Sequence, residues 1–191
     1  MRRFLLLALM AVLSLGFGLL ASCGDDDDDD SGDDDDSEND DDATDDTWAD
    51  SSSGLTWQLT SSSDYMTWDD AKTYCSNLSL AGGGWHLPTI SELRSLIRGC
   101  DATELGGVCG VADGWTESDC WSDPCGGCGY LEGPGSGGAY WPDGMSGEIE
   151  WYWSSSPVAD DGLHAWYVGF FYGDVDNGYV GRNDGRARCV R

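Results

Sequence analysis

Five aromatic residues, Trp115, Trp121, Tyr130, Tyr140 and Trp141, are interleaved with four carboxylates, Asp113, Asp119, Asp123 and Asp143, in a stretch crowded with glycine and cysteine. Flat aromatic faces beside carboxylates suit a sugar, whose C–H face stacks on a ring while its hydroxyls donate to acidic oxygens, with or without a calcium ion. The same aromatics can equally fill a core that is short of aliphatic side chains. Cys125-Gly-Gly-Cys128 has the spacing of half a zinc site or of a redox pair. No second pair, partner histidine or βαβ pattern accompanies it, so structural disulfides are the better reading and no metal is expected. Asp174-Val-Asp176-Asn177-Gly178 is close to a calcium loop, but its glycine falls one position early and no glutamate follows; it reads as a hairpin.

Nucleophilic catalysis finds little support. His86 precedes a helix and His164 begins a strand, neither belongs to an identifiable triad, and no serine has the G-x-S-x-G context. Carboxylates are abundant enough for close pairs to arise by chance. A non-catalytic binding role without a cofactor is therefore expected.

The frame for these residues is legible in the periodicity. Leu55, Trp57 and Leu59 alternate with polar residues and predict a half-buried strand over 55–60. Thr67 is placed to cap a helix whose Trp68, Ala71, Cys75 and Leu78 share one face, which turns Cys75 inward. Gly82 to Glu92 combines a tight turn, the apolar anchors Trp85 and Leu87, Pro88, and a capping box of Thr89 with Glu92. A second helix follows, with Ile90, Leu93, Leu96 and Ile97 inside, Arg94 and Arg98 outside, and Gly99 at its end. From 99 to 150 periodicity vanishes across 14 glycines and five of the eight cysteines. A stretch of that length is functional or pinned. Strands return at Trp151 to Ser154 and His164 to Tyr172, with short ones at Tyr179 to Arg182 and Arg186 to Arg191. Asp176-Asn177-Gly178 and Asn183-Asp184-Gly185 signal hairpins. In the last strand Ala187 and Cys189 share a face opposite Arg186 and Arg188.

Ahead of this frame, residues 1–22 resemble a bacterial lipoprotein signal: Arg2 and Arg3, an apolar run from Phe4 to Leu20, then Ala21-Ser22 before Cys23, the acylation site. Gly24 after the cysteine favours the outer membrane. Residues 23–53 hold the acylated cysteine and an acidic tether. Aspartate runs and the near absence of apolar residues leave Gly24 to Asp50 nothing to bury, so that segment is expected to stay unstructured and extended, reaching up to about 90 Å. Residues 54–191 form the folded domain. Seventeen of the 36 acids precede residue 51; the other 19 face seven basic residues, for a net charge of −12 in the remainder. Nucleic acid and polyanions are poor partners for such a surface, the C-terminal arginine cluster being the one local exception.

GLTWQ at 54–58, W-x-x-A-x-x-Y-C at 68–75, L-x-L-A-G-G-x-W-x-L-P-T-x-x-E-L at 78–93, W-S-S at 153–155, A-W-x-V-x-F at 165–170 and the A-R-C-V-R ending at 187–191 resemble the Lcl C-terminal domain family. His86 stands where that family commonly has arginine, which removes any salt bridge that arginine makes. The resemblance implies an α+β domain related to C-type-lectin-like and formylglycine-generating-enzyme-like folds. These have two early helices, a long irregular loop region and a small antiparallel sheet that joins the chain ends. It also implies a Cys75–Cys189 disulfide and a ligand site in the long loop. Cys100, Cys109, Cys120, Cys125 and Cys128 then form two further bridges and leave one thiol. Anchor, spacer and pinned aromatic loop together point to a lectin-like lipoprotein at the cell surface that binds a glycan, protein or matrix ligand and meets the membrane only through its lipid. The alternative is a structural envelope component with no small ligand.

Overall fold

The computed structural model of the chain describes residues 46–116 and 123–191. Its elements are β1 (Thr47–Ala49), β2 (Thr56–Gln58), α1 (Trp68–Asn77), α2 (Ile90–Arg94), β3 (Trp151–Val158), β4 (Asp161–Gly169) and β5 (Asp174–Tyr179), with short 3-10 turns between. The fold is α+β: β1 and β2 form a two-stranded antiparallel ribbon, and β3-β4-β5 form an antiparallel meander.

The two helices start where their caps predict. Thr67 accepts the Asp70 amide at the head of α1. Thr89 and Glu92 form the full reciprocal capping box of α2, a device that contributes about 1 kcal/mol. Trp85 is buried with its indole N–H on the Leu80 carbonyl at 2.7 Å, which closes the glycine turn between the helices. In place of an arginine at that point, His86 lies 3.2 Å from the Glu92 carboxylate.

Two layers of core flank the meander. One face carries Tyr152, Trp166, Val168 and Val175 against Ile90, Leu93, Leu96 and Ile97 and the cysteine-rich loop. The other carries Trp153 and Ala165 against Ala71 and Cys75 of α1 and Ala187 and Cys189 of the C-terminal segment. That segment lies between β2 and the helix join: Val190 bridges both Trp57 and His86, and Arg191 exchanges backbone hydrogen bonds with Thr56. The Gln58 side chain fills a gap in this pairing by accepting the Cys189 amide and donating to the Tyr74 hydroxyl. Cys75–Cys189 then ties α1 to the C-terminus. Cys100–Cys128 and Cys109–Cys125 pin the loop. Cys120 lies outside the described residues.

Several expectations are corrected. The fold begins at Thr47, inside the segment read as tether, because Trp48 is the first large apolar side chain and pairs opposite Trp57 while packing on the core. Arg94, expected outside, is 2% exposed. The glycine-rich loop has no ladder to satisfy its carbonyls, and Arg94 serves those of Thr103, Val111 and Glu104. The regular α2 ends at Arg94, five residues before Gly99. Asp176-Asn177-Gly178 is not a hairpin but lies within β5; the β4–β5 turn is Phe170 to Gly173, with Gly173 at φ +66°. Tyr179 to Arg182 is the end of β5 and a turn, and 186–191 makes isolated bridges rather than a regular strand. Gly185 pairs with Met66, so Asn183-Asp184-Gly185 is no hairpin either.

The C-terminal arginines are not a free basic patch. Arg188, fully buried, donates to the carbonyls of Gln58, Leu59 and Ser146 and lies 4.9 Å from the Trp141 ring. Arg186 serves the Ser62 and Ser63 carbonyls, and Arg191 those of Ala81 and Gly83. Each acts as an internal clamp on irregular backbone.

Candidate functional site

The residues singled out in the loop do not converge. Tyr140 and Trp141 are each 1% exposed and belong to the core, Tyr140 with its hydroxyl on the Gly129 carbonyl and Trp141 packed against Tyr152 and Phe170. Both are thereby removed from any ligand surface. Trp115 is half-buried, with its carbonyl accepting the Ala159 amide, and nearby Asp113 accepts the Ser156 hydroxyl at 2.7 Å. They sit by the β3–β4 turn. Asp143 is exposed beside Gly144, over Trp48 at the β1–β2 ribbon. Asp119 and Trp121, and the side chain of Asp123, lie outside the described residues. Tyr130 is 60% exposed and sits instead against Phe171 and Tyr172 at the β4–β5 turn.

A better-formed site lies on the same side of the meander as α1, on the part of that face that α1 leaves uncovered. Register puts Trp151, Trp153, Tyr167, Gly169, Asp174, Asp176 and Gly178 on that face, because Trp153 opposes Tyr167, Tyr167 opposes Asp176, and Trp151 and Asp174 both oppose Gly169. Tyr167 is its centre. The ring meets Trp151 edge-on at 4.3 Å and Trp153 edge-on at 5.3 Å. It lies down across Gly178, where an added Cβ would come within 2.4 Å of Tyr167 and 2.7 Å of Trp153. This close approach is what the glycine of the Asp-Asn-Gly sequence provides.

Beside Tyr167 opens a cleft of about 400 Å³ lined by His164, Tyr167, Asp176, Asn177, Gly178, Tyr179, Arg182 and Asp184. His164 is fixed at its rim by a 2.5 Å hydrogen bond to Asp161 and an edge-on contact with Tyr179. Hydrogen bonds from the Leu163 amide and the His164 ring hold the Asp161 carboxyl below its ordinary range. Burial, then the carboxylates of Asp176, Asp184 and Asp174, push the Tyr167 hydroxyl pKa up. Under Trp151 and Gly169, the Asp174 carboxyl is pushed up to about 7 by burial, with Asp176 adding repulsion; its Oδ1 has no hydrogen-bond partner. The cleft thus offers ring faces, carboxylate acceptors and the donors of Asn177 and Arg182 together. Among the described residues, no three His, Cys, Asp or Glu side chains converge to hold a metal ion.

The family model described as the Lcl C-terminal domain matches residues 46–191. The chain belongs to the Lcl C-terminal domain family. The match of this Lcl C-terminal domain starts one residue ahead of β1, in accord with the strand that makes Trp48 part of the fold. No curated protein and no solved structure matches the chain. The family and three disulfides fit a domain of the extracellular kind, since such bridges persist in oxidising compartments. Among the described residues no helix is long and apolar enough to cross a membrane.

Sequence reasoning missed this cleft for a definable reason. His164 and Tyr167 are visible in the sequence as strand residues, but Asp176-Asn177-Gly178 reads as a turn signal, which hides the strand β5 that brings Asp176 beside them. A usable signal is the alternation that puts Trp151 and Trp153 on one face of their strand and Tyr167 and Gly169 on one face of the next.

Proposed function

We propose that this Lcl C-terminal domain is a non-catalytic, C-type-lectin-like module that binds a glycan, displayed outside the cytoplasm on a lipoprotein acylated at Cys23 and held off the outer membrane by the acidic tether. The observation that carries the reading is the cleft of Tyr167, Asp176, Asp184, Asn177 and Arg182, in which a ring for C–H stacking stands beside both acceptors and donors for hydroxyls. Two early helices and the closure of the chain ends by Cys75–Cys189 support the lectin-like comparison. The net charge of −12 carried by residues 51–191 argues against sulfated or uronic polyanions as ligand, because the domain's field repels them. Recognition in this reading needs no resident metal.

A glycan array probed with the mature chain, with and without EDTA, tests it. Binding that survives EDTA is expected. Binding abolished by EDTA assigns the recognition to calcium instead, and the absence of binding to any glycan favours a structural envelope component. For the anchor, Cys23→Ser is expected to release the chain from the membrane fraction; retention there would exclude acylation as the attachment.

A further inference from the structure

The cleft does not end at Tyr167. From that ring an aromatic band runs along the sheet face and over the β4–β5 turn: Trp151 at 4.3 Å, Phe171 at 5.1 Å from Trp151, then Tyr172 at 5.2 Å and Tyr130 at 6.2 Å from Phe171. Trp151 and Phe171 are half-buried, whereas Tyr172 and Tyr130 are 37% and 60% exposed. Contiguous exposed aromatics of this kind, rimmed by polar groups, mark an interaction surface.

The band is held rigidly. The segment bearing Tyr130 is laced to the turn by the Cys128 amide on the Tyr172 carbonyl and the Leu131 amide on the Phe171 carbonyl, at 2.8 and 2.7 Å. The Cys100–Cys128 disulfide anchors it from behind, and the Tyr140 hydroxyl grips the Gly129 carbonyl. Gly127 packs so closely on the turn that a Cβ there would meet the Tyr172 carbonyl at 2.6 Å. Rings fixed in advance lose little freedom on binding. The pinned loop therefore contributes one binding residue, Tyr130, and otherwise acts as a mount.

Charge along the band selects further. Glu132 follows the Tyr130 segment, and Asp176 and Asp184 stand at the cleft, where Arg182 is the one cationic side chain lining it. An anionic chain laid along this track would meet like charge at several points.

We infer that cleft and band form one continuous site for an extended, uncharged polysaccharide chain several sugar rings long. The cleft orients one unit by hydrogen bonds, and the band stacks those that follow. The inference rests on the glycan reading above and specifies its ligand as a chain rather than a single terminal sugar.

The test is the mature chain on printed ladders of one to six units of neutral glucans, mannans and galactans, of N-acetylated hexosamine oligomers, and of uronic and sulfated oligomers. Wild type is compared with Tyr130→Ala/Tyr172→Ala, two exposed positions whose loss leaves the fold intact as checked by Tm. Affinity for an uncharged ladder is expected to rise at least tenfold from one unit to four, and the double variant is expected to lose that rise while keeping the single-unit affinity. Equal affinity at every length, unchanged in the double variant, would overturn the chain inference and leave the glycan cleft standing. Binding confined to uronic or sulfated ladders would overturn the inference, and binding to no ladder at all would overturn both.

Discussion

Two regions of this domain are rich in aromatic side chains, and they use them oppositely. In the disulfide-pinned loop, Tyr140 and Trp141 are sunk in the core, where Trp141 lies under the Arg188 guanidinium and against Phe170. On the part of the meander that α1 leaves uncovered, and at its β4–β5 turn, Trp151, Tyr167 and Phe171 stay half-exposed, with carboxylates beside Tyr167. Composition does not separate the two cases. What separates them is backing: a loop without backbone ladders builds its own core from whatever large side chains it has, while a sheet supplies that support and can leave rings at its surface.

The contrast is sharpest at Trp141. Its truncation leaves a cavity beneath Arg188, and the expected loss is about 3–5 kcal/mol of stability. Urea unfolding of Trp141→Ala under oxidising conditions measures it. A loss below about 1 kcal/mol with glycan binding abolished would return Trp141 to the ligand surface and erase the distinction.

A smaller effect is expected at Asp174, where the two regions meet: its Cβ lies against Gly127 of the loop and its Oδ1 under Gly169 of the sheet. The folded carboxyl is raised from 3.8 to about 7, so the folded state binds the proton more tightly than the unfolded chain. Stability from this group is therefore full below about pH 4 and falls as pH rises through about 7. The penalty above that is of order 1 kcal/mol once partial exposure is allowed for. Asp174→Asn is expected to remove the decline, so that Tm measured from pH 5 to pH 8 falls less in the variant than in wild type. Parallel slopes would show that Asp174 is ionised at no cost.

How much of this was legible follows the same division. Local signals held: the Thr67 cap, the Thr89–Glu92 box, and the inward faces that let Cys75 meet Cys189 are all present. Each rests on interactions within a few residues, or on two faces that periodicity fixes. The loop was read correctly as irregular and pinned, but which of its aromatics went inward depends on contacts across the fold, such as Trp141 with Phe170. Arg94 was misplaced because helical periodicity cannot know that three loop carbonyls will arrive at its face. Gly178 was misread because a glycine answers equally to a turn and to a ring pressed on the backbone; here Tyr167 and Trp153 take the space. The fold was thus largely readable from pattern, while the site, assembled by register between β4 and β5, was not.

The most direct test of the central claim, that the cleft beside Tyr167 orients the ligand, is the Kd for the tightest-binding neutral oligosaccharide in Asp176→Asn/Asp184→Asn. Asp176 is exposed and Asp184 half-exposed at the cleft, so the fold should be unaffected. Calorimetric titration is expected to show at least tenfold weaker binding than wild type at unchanged Tm; an unchanged Kd would contradict the account.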